Sequence, residues 1–348
     1  MIALHKHTPP HKGKSESNMQ PVNYCAHIIE QTATQLGENP DNLVMRNIAA
    51  GLQRAQKFLL PDCADMIEIR DLKDAHMDLL HLPYPLVALE IPWQHPNHGN
   101  ITGGIHATSS STKRVVIAWH VKDAKFEPWP GFNNAVIAQM SADDAIAFIA
   151  VAYIDRFQAW MPMVSACVIP MGQKPVPVRD TTATILADAM QGITPVKTWK
   201  HTLDYHLMPL MTETQARLEE AMGKHAAELD AELNIHDEMI AVIKFANVIN
   251  CENVTTTKLG APKSINKKRQ AKGKQPFFEY HVLDVTPEQG ERESGSYCTS
   301  DRNGPRAHLR RGHIRRLPTK AVWVRHALVG NPKQGVVEKD YRIETPKG

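Results

Sequence analysis

The chain has 348 residues, 42% of them apolar and 22% charged, with a formal net charge of +3. That length accommodates two or three domains and a sizeable core, and the composition excludes a fully disordered or collagen-like chain. The most apolar run, 145–154, is half the roughly 20 residues that a bilayer requires, and residues 1–20 hold no apolar stretch of signal-peptide length.

Residues 1–20 are polar, Pro-containing and aperiodic, and read as a disordered tail. Helices are expected over 22–35, closed by Gly37, and from an Asp41 cap to about Leu60, ahead of Pro61. A β-rich middle follows, with strands at 86–91, 114–121, 145–154 and 164–169. The Gly/Ser-rich stretch 95–111 reads as a loop. Helices return at 182–191 and 213–250, the latter acidic, with Leu218, Met222, Leu229, Leu233, Ile240 and Ile243 at helical spacing. Ser264 is the expected cap of a short basic helix, INKKRQAKG, stopped by Gly273. Strands at 277–285, 306–317, 321–329 and 336–343 close the chain, the first two separated by a polar loop over 286–304. Short loops between the last three imply an antiparallel meander. The fold class is α+β, with a helical and mixed-β body, a long acidic helix and a C-terminal basic β-meander. The expected boundaries are a tail over 1–20, an acidic body over 21–258 and a basic module over 259–348.

Charge defines that last boundary. Residues 259–348 hold 19 Lys/Arg against 9 Asp/Glu, whereas residues 1–258 hold 21 against 28. A near-neutral total thus conceals an acidic body joined to a basic module. The five cysteines are scattered, and none lies at metal-ligand spacing, so reduced thiols in an intracellular protein are expected.

The runs INKKRQAKGKQPFFEYHVL, HLRRGHIRRL, VWVRHALVG and GVVEKDY resemble the C-terminal block of a bacteriophage and prophage protein family. The likeness covers about residues 245–343 well and the preceding two-thirds faintly. It implies a phage protein acting in the cytoplasm of a bacterial host, and brings with it neither an activity nor a catalytic residue.

Alternation along strands, with a bulge at Arg311-Gly312, places Leu309 and Ile314 on one face of 306–317. His308, Arg310, His313 and Arg315 then share the other. A three-residue loop, 318–320, pairs Ile314 with Val324, His313 with Arg325 and Arg315 with Trp323. A two-residue loop would instead oppose His313 and His326, but Thr319-Lys320 is poorly suited to a primed turn. In the first strand, Tyr280 and Val282 face the core and His281 faces outward. Lys267, Lys268, Arg269, Lys272, Lys274, Arg306, His308, Arg310, His313, Arg315, Trp323 and Arg325 then form a candidate surface for RNA or DNA backbone. Arginine suits phosphate, and Trp323 would stack on a base. A solvated basic face without a ligand is the plainer alternative.

A rival from another class is an inhibitor that binds a host protein complex, such as a defence complex, by charge complementarity and without chemistry. The acidic helix admits the same idea, covering the basic module or occupying a partner's nucleic-acid groove. A third reading is a metal-independent ribonuclease using a pair among His281, His308, His313 and His326. Along one strand, His308 and His313 lie roughly 13 Å apart at about 3.3 Å per residue, so a working pair must form across strands. No cofactor or metal site is expected. His95, His98 and His106 match no zinc spacing, and no phosphate loop, G-x-S-x-G or HExxH motif is present. Oligomeric state is not legible.

Overall fold

The computed structural model describes residues 22–39, 41–67, 69, 71–94, 111–140, 144–177, 200–285, 306–310, 313–324, 327–329 and 331–337. The tail over 1–20, most of the loop at 95–111, the helix at 182–191 and the loop at 286–304 lie outside the described residues.

Two helices open the fold, α1 (Tyr24–Glu38) and α2 (Leu43–Arg54). Asn42, not Asp41, caps α2, its side-chain oxygen accepting from the Met45 amide at 3.1 Å. The helix also stops earlier than its apolar pattern implies, because residues 56–59 turn into β1 (Gln56–Leu59). A short α3 (Asp74–Asp78) precedes β2 (Leu86–Pro92) and β3 (Ser111–His120). Then come α4 (Phe132–Gln139), β4 (Ala145–Ile154), β5 (Ala159–Pro162) and β6 (Ser165–Pro170). A two-stranded pair, β7 (Val176–Pro177) with β8 (His201–Thr202), leads to β9 (His206–Pro209). Helices α5 (Thr212–Met222) and α6 (Lys224–Ile249) replace the single acidic helix expected over 213–250. They part at Gly223, whose φ of 86° lies in the left-handed region that glycine enters without strain. Strand β10 (Val254–Gly260), the basic α7 (Lys263–Ala271) and β11 (Glu279–Val285) follow.

A nine-stranded sheet in the order β10-β11-β1-β2-β3-β4-β6-β9, with β5 added to β4, carries these helices. Strand β1 runs parallel to both β11 and β2, and the remaining pairs are antiparallel. Alternate residues feed two separate cores. Ala88, Ile117, Trp119, Ile149 and Val151 pack with α1, α2 and α4. Val87, Leu89, Val116, Ala118 and Phe148 pack on the other face with Ile235, Met239, Val242 and Phe245 of α6. Burial on both faces accounts for the unbroken apolar run of β4. Among the described residues, no helix is long and apolar enough to cross a membrane.

The C-terminal strands are β12 (Arg306–Arg310), β13 (His313–Arg316), β14 (Ala321–Val324), β15 (Ala327–Val329) and β16 (Asn331–Val337). The α+β class holds, but the strand expected over 306–317 divides between two sheets. Its first half, β12, lies between β15, antiparallel, and β16, parallel; its second half forms a hairpin with β14. The bulge expected at Arg311-Gly312 falls outside the described residues.

Candidate functional site

Helix α7 opens at Lys263 after Pro262 and has no side-chain cap at Ser264 or elsewhere. Nine residues with no acid in the first turn make a weak helix on their own. Tertiary contacts hold it. Asn266 and Phe277 bond reciprocally, side-chain amide to backbone carbonyl at 2.9 Å and backbone amide to side-chain oxygen at 2.8 Å. Arg269 pairs with Glu30 of α1, donates from Nε to the Gln275 carbonyl at 2.8 Å, and lies over the Phe277 ring at 3.8 Å. Gly273, at φ +65°, turns the chain back toward β11.

Those bonds divide the expected phosphate-binding cations. Arg269 faces inward as an anchor and is not free for a ligand. Lys267, Lys268, Lys272 and Lys274, together with Lys263, are exposed. Among the described residues, none of the five has a carboxylate within ion-pair distance. The nearby acids are already engaged, Glu30 by Arg269 and Glu279 by Lys258 at 2.8 Å. The body adds charges that no local motif signals. The edge of the His27 ring on α1 meets Phe277, with centroids 6.1 Å apart. Partial desolvation lowers the affinity of His27 for a proton; Glu30 opposes this, while Arg269, Lys113 and Lys274 reinforce it. These groups come from segments far apart in sequence, so periodicity cannot assemble them.

The β13–β14 hairpin departs from the expected register. Its loop has four residues, closed by the Leu317 amide on the Lys320 carbonyl at 2.7 Å. Ile314 therefore opposes Trp323, His313 opposes Val324 and Arg315 opposes Val322. The extra loop residue moves Trp323 off the arginine face. Trp323 packs with Ile314 against the α6 core, and its backbone is clamped by Asn253 through two 2.8 Å bonds. Trp323, partly buried, thus helps to dock the hairpin on the body. Arg316 pairs with Asp78, and Arg315 remains exposed. The backbones of Arg306, His308 and Arg310 lie on β12, while Arg325 and His326 are outside the described residues.

Of the four candidate catalytic histidines, His281 and His313 have described side chains, and these two stand in different sheets. His281 is buried on β11, with its ring 5.2 Å from Phe58 and 6.1 Å from Tyr84, contrary to the outward placement expected. Burial, followed by Lys258, holds it below its ordinary proton affinity, against the pull of Glu279. Its strand pairs with β1 and β10, whereas His313 belongs to the β13–β14 hairpin. Among the described residues, no three His, Cys, Asp or Glu side chains gather to hold a metal.

The acids of α5 and α6 are divided as well. Glu238, fully buried, and Asp237 receive Arg114 at 2.9 and 3.4 Å, and the guanidinium lies 4.0 Å from the Trp93 ring centre. Glu219, Glu228 and Glu232 line a groove of about 440 Å³ with Tyr205 and Lys224. Burial and the neighbouring Glu228 raise the Glu232 carboxyl above its ordinary range.

The model of the AcrVA2-like family, described as the anti-CRISPR type V subtype A2 family, matches residues 59–330. No curated protein and no solved structure matches the chain.

Proposed function

This chain belongs to the AcrVA2-like family of anti-CRISPR proteins, and from that membership we propose that it inhibits a type V CRISPR effector of a bacterial host by binding one of the effector's components. The protein supplies surface and charge, and no chemistry of its own. The placement of the two candidate histidines whose side chains are described supports binding over catalysis by that pair: His281 is buried in the body sheet and His313 lies in a separate hairpin. Exposed charge is divided between an acidic groove at α5–α6 and unpaired lysines at α7. An effector of the RNA-guided class offers a counterpart to each, a positively charged channel and the nucleic acid held within it.

Affinity capture tests this reading. Tagged protein is incubated with lysate from cells producing a type V effector and its guide, with and without nuclease. Effector polypeptide or its RNA is expected on the resin in amounts comparable to the bait. Effector that survives nuclease identifies a protein contact, and loss on nuclease treatment identifies a nucleic-acid contact. Recovery of neither, or metal-independent RNA cleavage abolished by changing one histidine, overturns the proposal.

A further inference from the structure

Five lysines within twelve residues, 263–274, work against the helix that carries them. Lys263 sits at the end of α7 where the helix dipole disfavours a cation. Lys263 with Lys267, and Lys268 with Lys272, are like charges at i,i+4, each pair costing about 0.2–0.5 kcal/mol. No carboxylate among the described residues offsets them. Several other cations of the fold are neutralised: Arg114 with Glu238, Lys258 with Glu279, Arg316 with Asp78 and Lys320 with Glu252. Helix α7 is also held firmly from beneath, by Asn266 on Phe277 and by Arg269 on three partners. A rigid base under an uncompensated row of ammonium groups suits an extended polyanion.

We propose that the outer face of α7 and the turn after it, carrying Lys263, Lys267, Lys268, Lys272 and Lys274, binds the phosphate backbone of single-stranded nucleic acid. Lysine heads act as point charges, so recognition follows the backbone and does not read sequence. Lys113 of β3 and Lys274 both act on His27 of α1, so a further cation of the body lies near the end of this surface. Trp323 is not counted in this surface, because its ring packs, partly buried, against the core that holds α6. The proposal rests on the inhibitor reading only for where the nucleic acid is met, and the two fail separately, since the test uses a free oligonucleotide.

The full chain is titrated into a fluorescently labelled single-stranded RNA of about 20 nucleotides, longer than the roughly 4–16 that one binding module covers. Four neutralised phosphates at a slope of about −0.7 each predict a roughly 50-fold loss of affinity between about 50 and 200 mM salt. The K267E/K268E/K272E/K274E variant is expected to lose at least about tenfold in affinity at low salt. Its melting temperature should stay close to the parent's, because among the described residues these side chains make no ion pair and their like-charge pairs are worth only a few tenths of a kcal/mol. If the reversed charges unfold the chain, the four-glutamine variant serves instead, with a loss of similar size expected. A DNA strand of the same sequence separates the sources: equal affinity reports backbone recognition, and preference for RNA adds a contact to the 2′-hydroxyl. No binding at low salt, or a folded variant that binds like the parent, overturns the proposal. So does a variant that still binds RNA but no longer retains effector polypeptide after nuclease.

Discussion

The carboxylate of Glu90 lies on β2 with no exposed surface, on the face covered by α1. It accepts the Cys25 amide at the start of α1 and the Tyr280 hydroxyl of β11, both at 2.7 Å on the same oxygen. The other oxygen is buried without a hydrogen-bond partner. Burial raises the carboxyl above its ordinary 4.5, and the donated hydrogen bonds only partly oppose that. In the unfolded chain Glu90 ionises near 4.5, whereas in the folded chain it holds its proton to higher pH. The folded state thus binds more protons across that interval, and its stability falls as pH rises through it. Glu90→Gln removes the linkage. Melting temperatures of both proteins from about pH 4.5 to 8 should show the variant gaining on the parent as pH increases; a constant difference would refute the linkage. Alternation in LVALEIP does place Glu90 toward the helices. Its partners, however, lie 65 and 190 residues away, beyond any local pattern.

At the scale of elements, long apolar strands were legible and register was not. Strand β4 spans the ten residues its apolar run marks. The C-terminal hairpin shows why register is harder: one residue more in a turn moves every side chain to the opposite face. Leu317 to Lys320 form the loop, so Trp323 joins Ile314 against α6 instead of standing among arginines. Strand β10 was missed because its Thr-rich run, VTTTKLG, is mostly exposed and lacks apolar alternation. The register has a measurable consequence. Trp323→Ala should cost about 2 kcal/mol of stability in denaturant titration, less than the roughly 3–5 of a fully buried tryptophan. Its affinity for the oligonucleotide at low salt should equal the parent's. Loss of affinity without loss of stability would return Trp323 to the binding surface.

At the scale of the whole molecule, the charge boundary at Lys258 falls inside β10, which pairs along its length with β11. Strand β11 lies beyond the boundary yet sits between β10 and β1 in the main sheet. Tyr280 and Val282 are buried there beside Leu59, and the Tyr280 hydroxyl reaches Glu90. Composition located the cations correctly but carries no information about strand order, so a division in charge could be taken for a division in folding. We propose that residues 259–348 are not an independent module and that the body requires them. A chain ending at Lys258 loses β11 and leaves β1 as an unpaired edge, with Phe58 losing the cover of His281. It also strips Glu90 of the Tyr280 donor and α1 of the Arg269–Glu30 tie. An exposed apolar edge promotes association, and a buried acceptor losing a donor costs about 1–3 kcal/mol. The truncated chain is therefore expected to show no cooperative unfolding in denaturant and to associate at concentrations where the full chain does not. A sharp transition at the full chain's midpoint would establish the body as self-sufficient and the basic quarter as a separable attachment.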